Sequence, residues 1–155
     1  MLSAARSVTQ YLELQEDEVI LNVLPRLWPI SISADHGIPC WRTPLARTLL
    51  AFRAKVLKTM VDERVTAFPG APTVCSLLSE LKSLREYDLS AVRCITNTAA
   101  ALPTKLVLML KHLFPGARIY STYRLTECKR CTYLPPADLE KKPTSVGIAI
   151  PNTEL

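Results

Sequence analysis

Between Val65 and Tyr120 the hydrophobic period switches back and forth, and no other feature of this sequence constrains its fold as tightly. Val65 to Phe68 is a short apolar run of strand type, stopped by Pro69-Gly70-Ala71-Pro72. Val74, Leu77, Leu78, Leu81 and Leu84 then recur at the three- and four-residue spacing of a helix face. Val92 to Ile95 reads as a second strand. Pro103 suits the first turn of a helix whose buried face is Leu106, Leu110 and Leu113, and Ala117 to Tyr120 is a third strand. Short connections between unlike elements predict parallel strands joined by crossover helices, an α/β fold. Ligands of such sheets sit beyond the carboxyl ends of the strands. Two loops fall there: Thr96 to Leu102, and Ser121 to Glu127.

The flanks are less regular. Ser3 to Leu14 reads as a helix with Ala4, Val8, Tyr11 and Leu12 on one face. Gln15 to Glu18 is a polar turn, and Val19 to Leu24 is a buried strand ended by Pro25. Val56, Leu57, Met60 and Val61 form a further helical face. From Arg26 to about Leu50 neither period holds, and Pro29, Pro39 and Pro44 forbid a continuous helix. After Pro135-Pro136 the chain reads as loop, with one short apolar run at Val146 to Ile150.

Composition narrows the function classes. A chain of 155 residues has room for one domain with a real core. The net charge of +5 is spread over short pairs such as Lys129-Arg130 and Lys141-Lys142, without interleaved aromatics, which speaks against nucleic-acid binding. Only four glycines accompany twelve prolines, too few for a glycine-rich loop that cradles phosphate. The five cysteines are odd in number and sit mostly in apolar runs, as reduced thiols of a cytoplasmic protein do. Cys128-Lys-Arg-Cys131 has the spacing of half a zinc site but no second pair. No apolar run is long enough to span a membrane or to form a signal core.

The chemistry-bearing stretch is Ser121 to Arg130, which places an aromatic ring, a hydroxyl and a carboxylate within Tyr123 to Glu127. Such a loop can stack a base, bond a phosphate and hold a hard cation. The small side chains of Ala99, Ala100 and Ala101 would let a flat ligand lie against the backbone. Each element has a plainer reading: Thr98 as a helix cap, Tyr123 as a rim aromatic, Thr126 and Glu127 as turn residues.

Their joint order resembles the acyl-adenylate-forming, or AMP-binding, ligases that include the acyl-CoA synthetases. Tyr123-Arg124-Leu125-Thr126-Glu127 resembles the family's Tyr-Gly-x-Thr-Glu motif. Phe68-Pro69-Gly70-Ala71-Pro72-Thr73 resembles the segment near its acyl pocket, and Thr98-Ala99-Ala100-Ala101-Leu102 the loop beside adenine. Ser145-Val146-Gly147 with Pro151 resembles a later Ser-Val-Gly-x-Pro segment. The resemblance covers about Ala51 to Leu155 and, more loosely, Met1 to Pro25.

The resemblance implies a partial, incomplete parallel αβαβ layer from the large domain of an adenylate-forming enzyme. It implies ATP and Mg²⁺ as cofactors, a small carboxylate as substrate, and a coenzyme A or carrier-protein thiol as acceptor. By position, Tyr123 would stack on adenine, Thr126 would bond a phosphate oxygen, and Glu127 would hold Mg²⁺. Thr122, Leu125 and the backbone of Ala99, Ala100 and Ala101 would line the nucleotide. Thr126 and Glu127 would be the catalytic pair. Arg124 stands where the family has glycine. The family's phosphate loop would precede Met1, and its ribose-binding aspartate and lysine-bearing small domain would follow Leu155. The expectation is therefore one partial domain, a ligase fragment inactive alone, served by a complementing fragment, with residues 26–50 divergent through a frame shift. The competing expectation is a stand-alone nucleotide-binding or regulatory module, and a zinc or redox protein built on Cys128 and Cys131 trails both.

Overall fold

The structure is a computed structural model that describes residues 2–15, 17–21, 53–81, 86–97, 102–123 and 131–154. The divergent segment 26–50 and the second half of the expected strand Val19 to Leu24 lie outside them. Four helices are described: α1 (Leu2–Leu12), α2 (Arg53–Asp62), α3 (Pro72–Ser79) and α4 (Thr104–Leu113). They surround a five-stranded sheet of β1 (Ala67–Gly70), β2 (Cys94–Asn97), β3 (Arg118–Tyr123), β4 (Thr132–Leu134) and β5 (Ile148–Ala149), in that spatial order.

The α/β expectation holds. β1, β2 and β3 are parallel, with Phe68 opposite Ile95 and Ile95 opposite Ile119, and α3 and α4 are the crossovers. β4 and β5 add on antiparallel, so the sheet is mixed. Beyond β1, Ile20 makes a parallel bridge to Ala67, which leaves the expected strand at Val19 represented by one rung.

Alternation along the strands divides the core into two. Phe68, Ile95, Ile119 and Leu134 face one way, into a cluster with Leu57 and Met60 of α2, Leu78 of α3, and Leu106 and Leu110 of α4. Ala67, Cys94, Tyr120 and Tyr133 face the other way, against Val8, Tyr11 and Leu12 of α1. Tyr11 stacks on Tyr133 with ring centroids 4.3 Å apart and meets Tyr120 edge-on at 6.1 Å. Burial pushes the Tyr120 hydroxyl up to about 12. The Ser7 hydroxyl donates to the Pro151 carbonyl at 2.6 Å, tying α1 to the segment after β5.

Two local expectations change, and one strand forms where the sequence pattern assigns no element. β1 does not stop before Pro69-Gly70 but runs through them. The Ala67 N–H and C=O face the Val19–Leu21 segment, so the Pro69 nitrogen two residues on faces that side too, and no rung to β2 is lost. Gly70 is required there because a Cβ would stand 2.7 Å from the Cys75 sulfur. The polar turn at Glu18 is not solvated: its carboxylate is 2% exposed, pairs with Arg93 at 3.0 Å and receives the Thr66 hydroxyl. The stretch around Thr132, to which the sequence pattern assigns no element, is a strand held to β3 on one side and β5 on the other.

The β4–β5 pairing explains the Ser145-Val146-Gly147 segment. Gly147 has φ +86, and a Cβ on it would lie 2.0 Å from the Tyr133 carbonyl oxygen. Its N–H donates to the Ser145 hydroxyl at 3.1 Å, and the Thr132 hydroxyl donates to the Val146 carbonyl. The motif is thus an architectural device that lets β5 approach β4.

Candidate functional site

The carboxyl edge of the parallel strands is formed by Gly70, Asn97 and the end of β3. Ser121, Thr122 and Tyr123, expected to open a loop, instead extend β3. The extension is possible because β3 changes partner along its length. Arg118 to Tyr120 pair with β2, whereas Ser121 to Tyr123 pair with Leu134 to Thr132 of β4.

At this edge the main chain of Thr122 and Tyr123 is held from both sides. The Cys131 N–H donates to the Tyr123 carbonyl at 3.0 Å. On the other side the Thr122 N–H donates to Oδ1 of Asn97 at 2.6 Å, and the Thr122 hydroxyl reaches the Asn97 carbonyl at 3.1 Å. The Tyr123 side chain remains 46% exposed. A rigid strand end therefore presents an aromatic face to solvent, which is what stacking on a flat ring requires.

Of the residues expected at the site, Thr122 and Tyr123 lie together on this strand end. Ala99, Ala100, Ala101, Leu125, Thr126 and Glu127 lie outside the described residues, as do Arg124 and Cys128. Sequence reasoning counted Asn97 only as the start of a loop. Nothing in its local pattern marks it, since its partner Thr122 belongs to another strand.

The ion pairs among the described residues sit elsewhere. Arg93 and Arg118 precede or open β2 and β3 at the amino ends of the strands, where Arg93 meets Asp17 and Glu18, and Arg118 meets Glu13. A cleft of about 390 Å³ lined by Tyr87, Val92, His112 and Phe114 opens at that same end, away from Tyr123. Cys75 is buried and desolvation pushes its thiol up to about 12, so it is not a nucleophile at neutral pH. Among the described residues no group of three or more His, Cys, Asp or Glu could hold a metal ion, and no described helix is long and apolar enough to cross a membrane.

The described sheet is an open, mixed α/β sheet whose carboxyl edge carries an exposed aromatic side chain and a hydroxyl, and ligands of open α/β sheets sit at that edge. The chain belongs to the AMP-binding enzyme family, whose model matches residues 1–155. It is 27% identical over 151 residues to 4-coumarate-CoA ligase 1 of Narcissus pseudonarcissus, covering 93% of this chain and 27% of that protein. It is 30% identical over 100 residues to the long-chain-fatty-acid–CoA ligase of Bacillus subtilis (strain 168), covering 64% of this chain and 18% of that one. The chain thus spans about a quarter or less of these relatives' lengths. Among solved structures it superposes on VinN with a TM-score of 0.81 at 27% identity, covering 96% of this chain and 36% of VinN. The N-terminal domain of FACL13 from Mycobacterium tuberculosis shares the fold, with a TM-score of 0.82 at 22% identity, covering 96% of this chain and 38% of that one.

Proposed function

We propose that this chain supplies the adenine-nucleotide edge of an AMP-forming acyl-CoA ligase. The observation that carries the reading is the exposed Tyr123 ring on a strand end whose main chain is fixed by Asn97 and by Cys131. Tyr123 stacks on adenine, and Thr122, Leu125 and the backbone of Ala99, Ala100 and Ala101 line the nucleotide. Thr126 bonds a phosphate oxygen. Glu127 holds Mg²⁺, which when bound offsets phosphate charge.

The reaction joins two anions. A carboxylate oxygen forms a bond to the α-phosphorus of ATP, and the bond to the bridging oxygen breaks as pyrophosphate leaves. A thiol of coenzyme A or a carrier protein then takes the acyl group and releases AMP. Neutralising charge and aligning the attacking oxygen supply most of the acceleration in such a step. In this reading the isolated chain catalyses no turnover, and a complementing ligase fragment completes it. The buried thiols Cys75, Cys94 and Cys131 suit a cytoplasmic setting.

A second reading, a stand-alone nucleotide-binding module, draws support from the closure of both sheet faces within this span. One experiment separates the two. The ¹⁵N-labelled chain is titrated with ATP and Mg²⁺, and carboxylate-dependent ATP–pyrophosphate exchange is measured in parallel. The ligase reading expects weak binding that shifts the Thr122 and Tyr123 amides, with no exchange. Micromolar binding without exchange would favour the module. Unmoved amides would overturn the nucleotide seat, and robust exchange by the chain alone would overturn its dependence on a complement.

A further inference from the structure

The last pair between β2 and β3 is Thr96 with Tyr120, yet β3 continues to Tyr123. The Thr122 N–H, which faces β2, therefore points where main-chain pairing has ended. The Asn97 side chain takes over the rung. Its Oδ1 accepts the Thr122 N–H at 2.6 Å and lies 3.2 Å from the Thr122 hydroxyl, which is also 3.1 Å from the Asn97 carbonyl. Asn97 is only 3% exposed. Burying a carboxamide costs free energy unless its bonds are made, so a position served only by packing would be filled at least as well by an apolar side chain.

The consequence is mechanical. The peptide plane that follows Tyr123 is held by Cys131 through the Tyr123 carbonyl, and the plane that precedes Thr122 is held by Asn97 through the Thr122 N–H, with one plane between them. With the planes on both sides of the Thr122–Tyr123 pair held, the range of directions in which the Tyr123 ring leaves the backbone is narrowed before any ligand arrives. A ring that must be ordered on binding loses affinity in proportion to the freedom it gives up.

We propose that Asn97 is a positioning residue for the nucleotide: through Thr122 it pre-orders the strand end that carries Tyr123, without touching the ligand itself. The inference rests on the reading of this edge as the nucleotide seat. Its test compares Asn97→Leu, which keeps the volume and removes the acceptor, with Thr122→Val and Thr122→Ser, which remove or keep the hydroxyl. ATP affinity is measured by amide-shift titration, and hydrogen exchange of the Thr122 amide is measured without nucleotide. Asn97→Leu is expected to weaken ATP binding about tenfold and to release the protected Thr122 amide while the circular dichroism spectrum is retained. Thr122→Val is expected to weaken binding several-fold, with Thr122→Ser restoring it to within about twofold of the parent chain.

A folded Asn97→Leu that binds ATP as the parent does would overturn the positioning role. Should Asn97→Leu fail to fold, equal affinities for Thr122→Val and Thr122→Ser would overturn it instead. A parent chain whose Thr122 amide is protected but which binds no ATP would remove the nucleotide seat itself, and the positioning role with it.

Discussion

Replacing Gly147 by alanine tests the reason offered for the Ser145-Val146-Gly147 segment. The new Cβ would stand 2.0 Å from the Tyr133 oxygen, 2.3 Å from its carbonyl carbon and 2.5 Å from the Leu134 nitrogen. All three are backbone atoms of β4, so no side chain can swing aside. Relief to ordinary contact, about 3.5 Å, moves β5 away from β4 by more than an ångström. That movement breaks the bonds around Tyr133–Ile148, the Thr132 hydroxyl bond to Val146 and the Ile150 N–H bond to Cys131. At a net of about 1 kcal/mol for each of two or three bonds, plus about 1–2 kcal/mol for a side chain at positive φ, the loss is about 3–5 kcal/mol. Gly116→Ala is the control, because nothing lies within 4 Å of its Cβ position. Native-state hydrogen exchange reads the result. The Ile150 amide should open at least a hundredfold more readily in Gly147→Ala, whereas Gly116→Ala should stay within about 0.5 kcal/mol of the parent. Equal behaviour of the two variants would refute the close-approach explanation.

Arg93→Met leaves the Glu18 carboxylate buried with the Thr66 hydroxyl but without its cation, and should cost about 3 kcal/mol in urea unfolding; Asp17→Asn, on the solvent side of the same arginine, should cost less than about 0.5 kcal/mol. The Cys75 thiol, raised from an ordinary 9.0 to about 12, stays protonated in the fold while the unfolded chain ionises, so stability should fall between pH 9 and 12. Cys75→Ala should flatten that fall, by up to about 1.4 kcal/mol per pH unit, and an unchanged slope would show that the thiol is not so deeply desolvated. Val146 and Ile148 are both exposed beside the outer edge of β5, and Ile148→Lys should reduce self-association in analytical ultracentrifugation while shifting the urea midpoint little.

The parallel layer was legible because its information is local. Val65 to Phe68, the Val74 to Leu81 face and the Leu106 to Leu113 face each carry their period within a few residues, and β1, α3 and α4 form there. What stayed hidden depends on distant partners. β4 is a strand because Thr132 and Leu134 are buried against β3 and β5, yet its three residues lie between a basic pair and Pro135-Pro136, with no alternation long enough to register. Glu18 reads as solvated until Arg93 is placed beside it. Pro69-Gly70 reads as a stop until the side on which the Pro69 nitrogen falls is known. Of the candidate site, Tyr123 was found by its motif, whereas the Asn97 bond to Thr122 could be found only from the register of β2 and β3.

The fastening of α1 bears on the order in which the protein is made. Tyr11 packs on Tyr133, and Ser7 reaches Pro151, so the seat of the helix is complete only once β4 and the segment after β5 exist. At ribosomal speeds the chain between Tyr11 and Tyr133 takes on the order of 10 s to emerge. For that interval the apolar stripe of Val8, Tyr11 and Leu12 has Ala67, Cys94 and Tyr120 of the parallel strands to close upon but lacks the Tyr133 ring. Until β4 is made the seat of α1 is thus incomplete, and chaperone capture or pairing with a neighbour can compete for its apolar face.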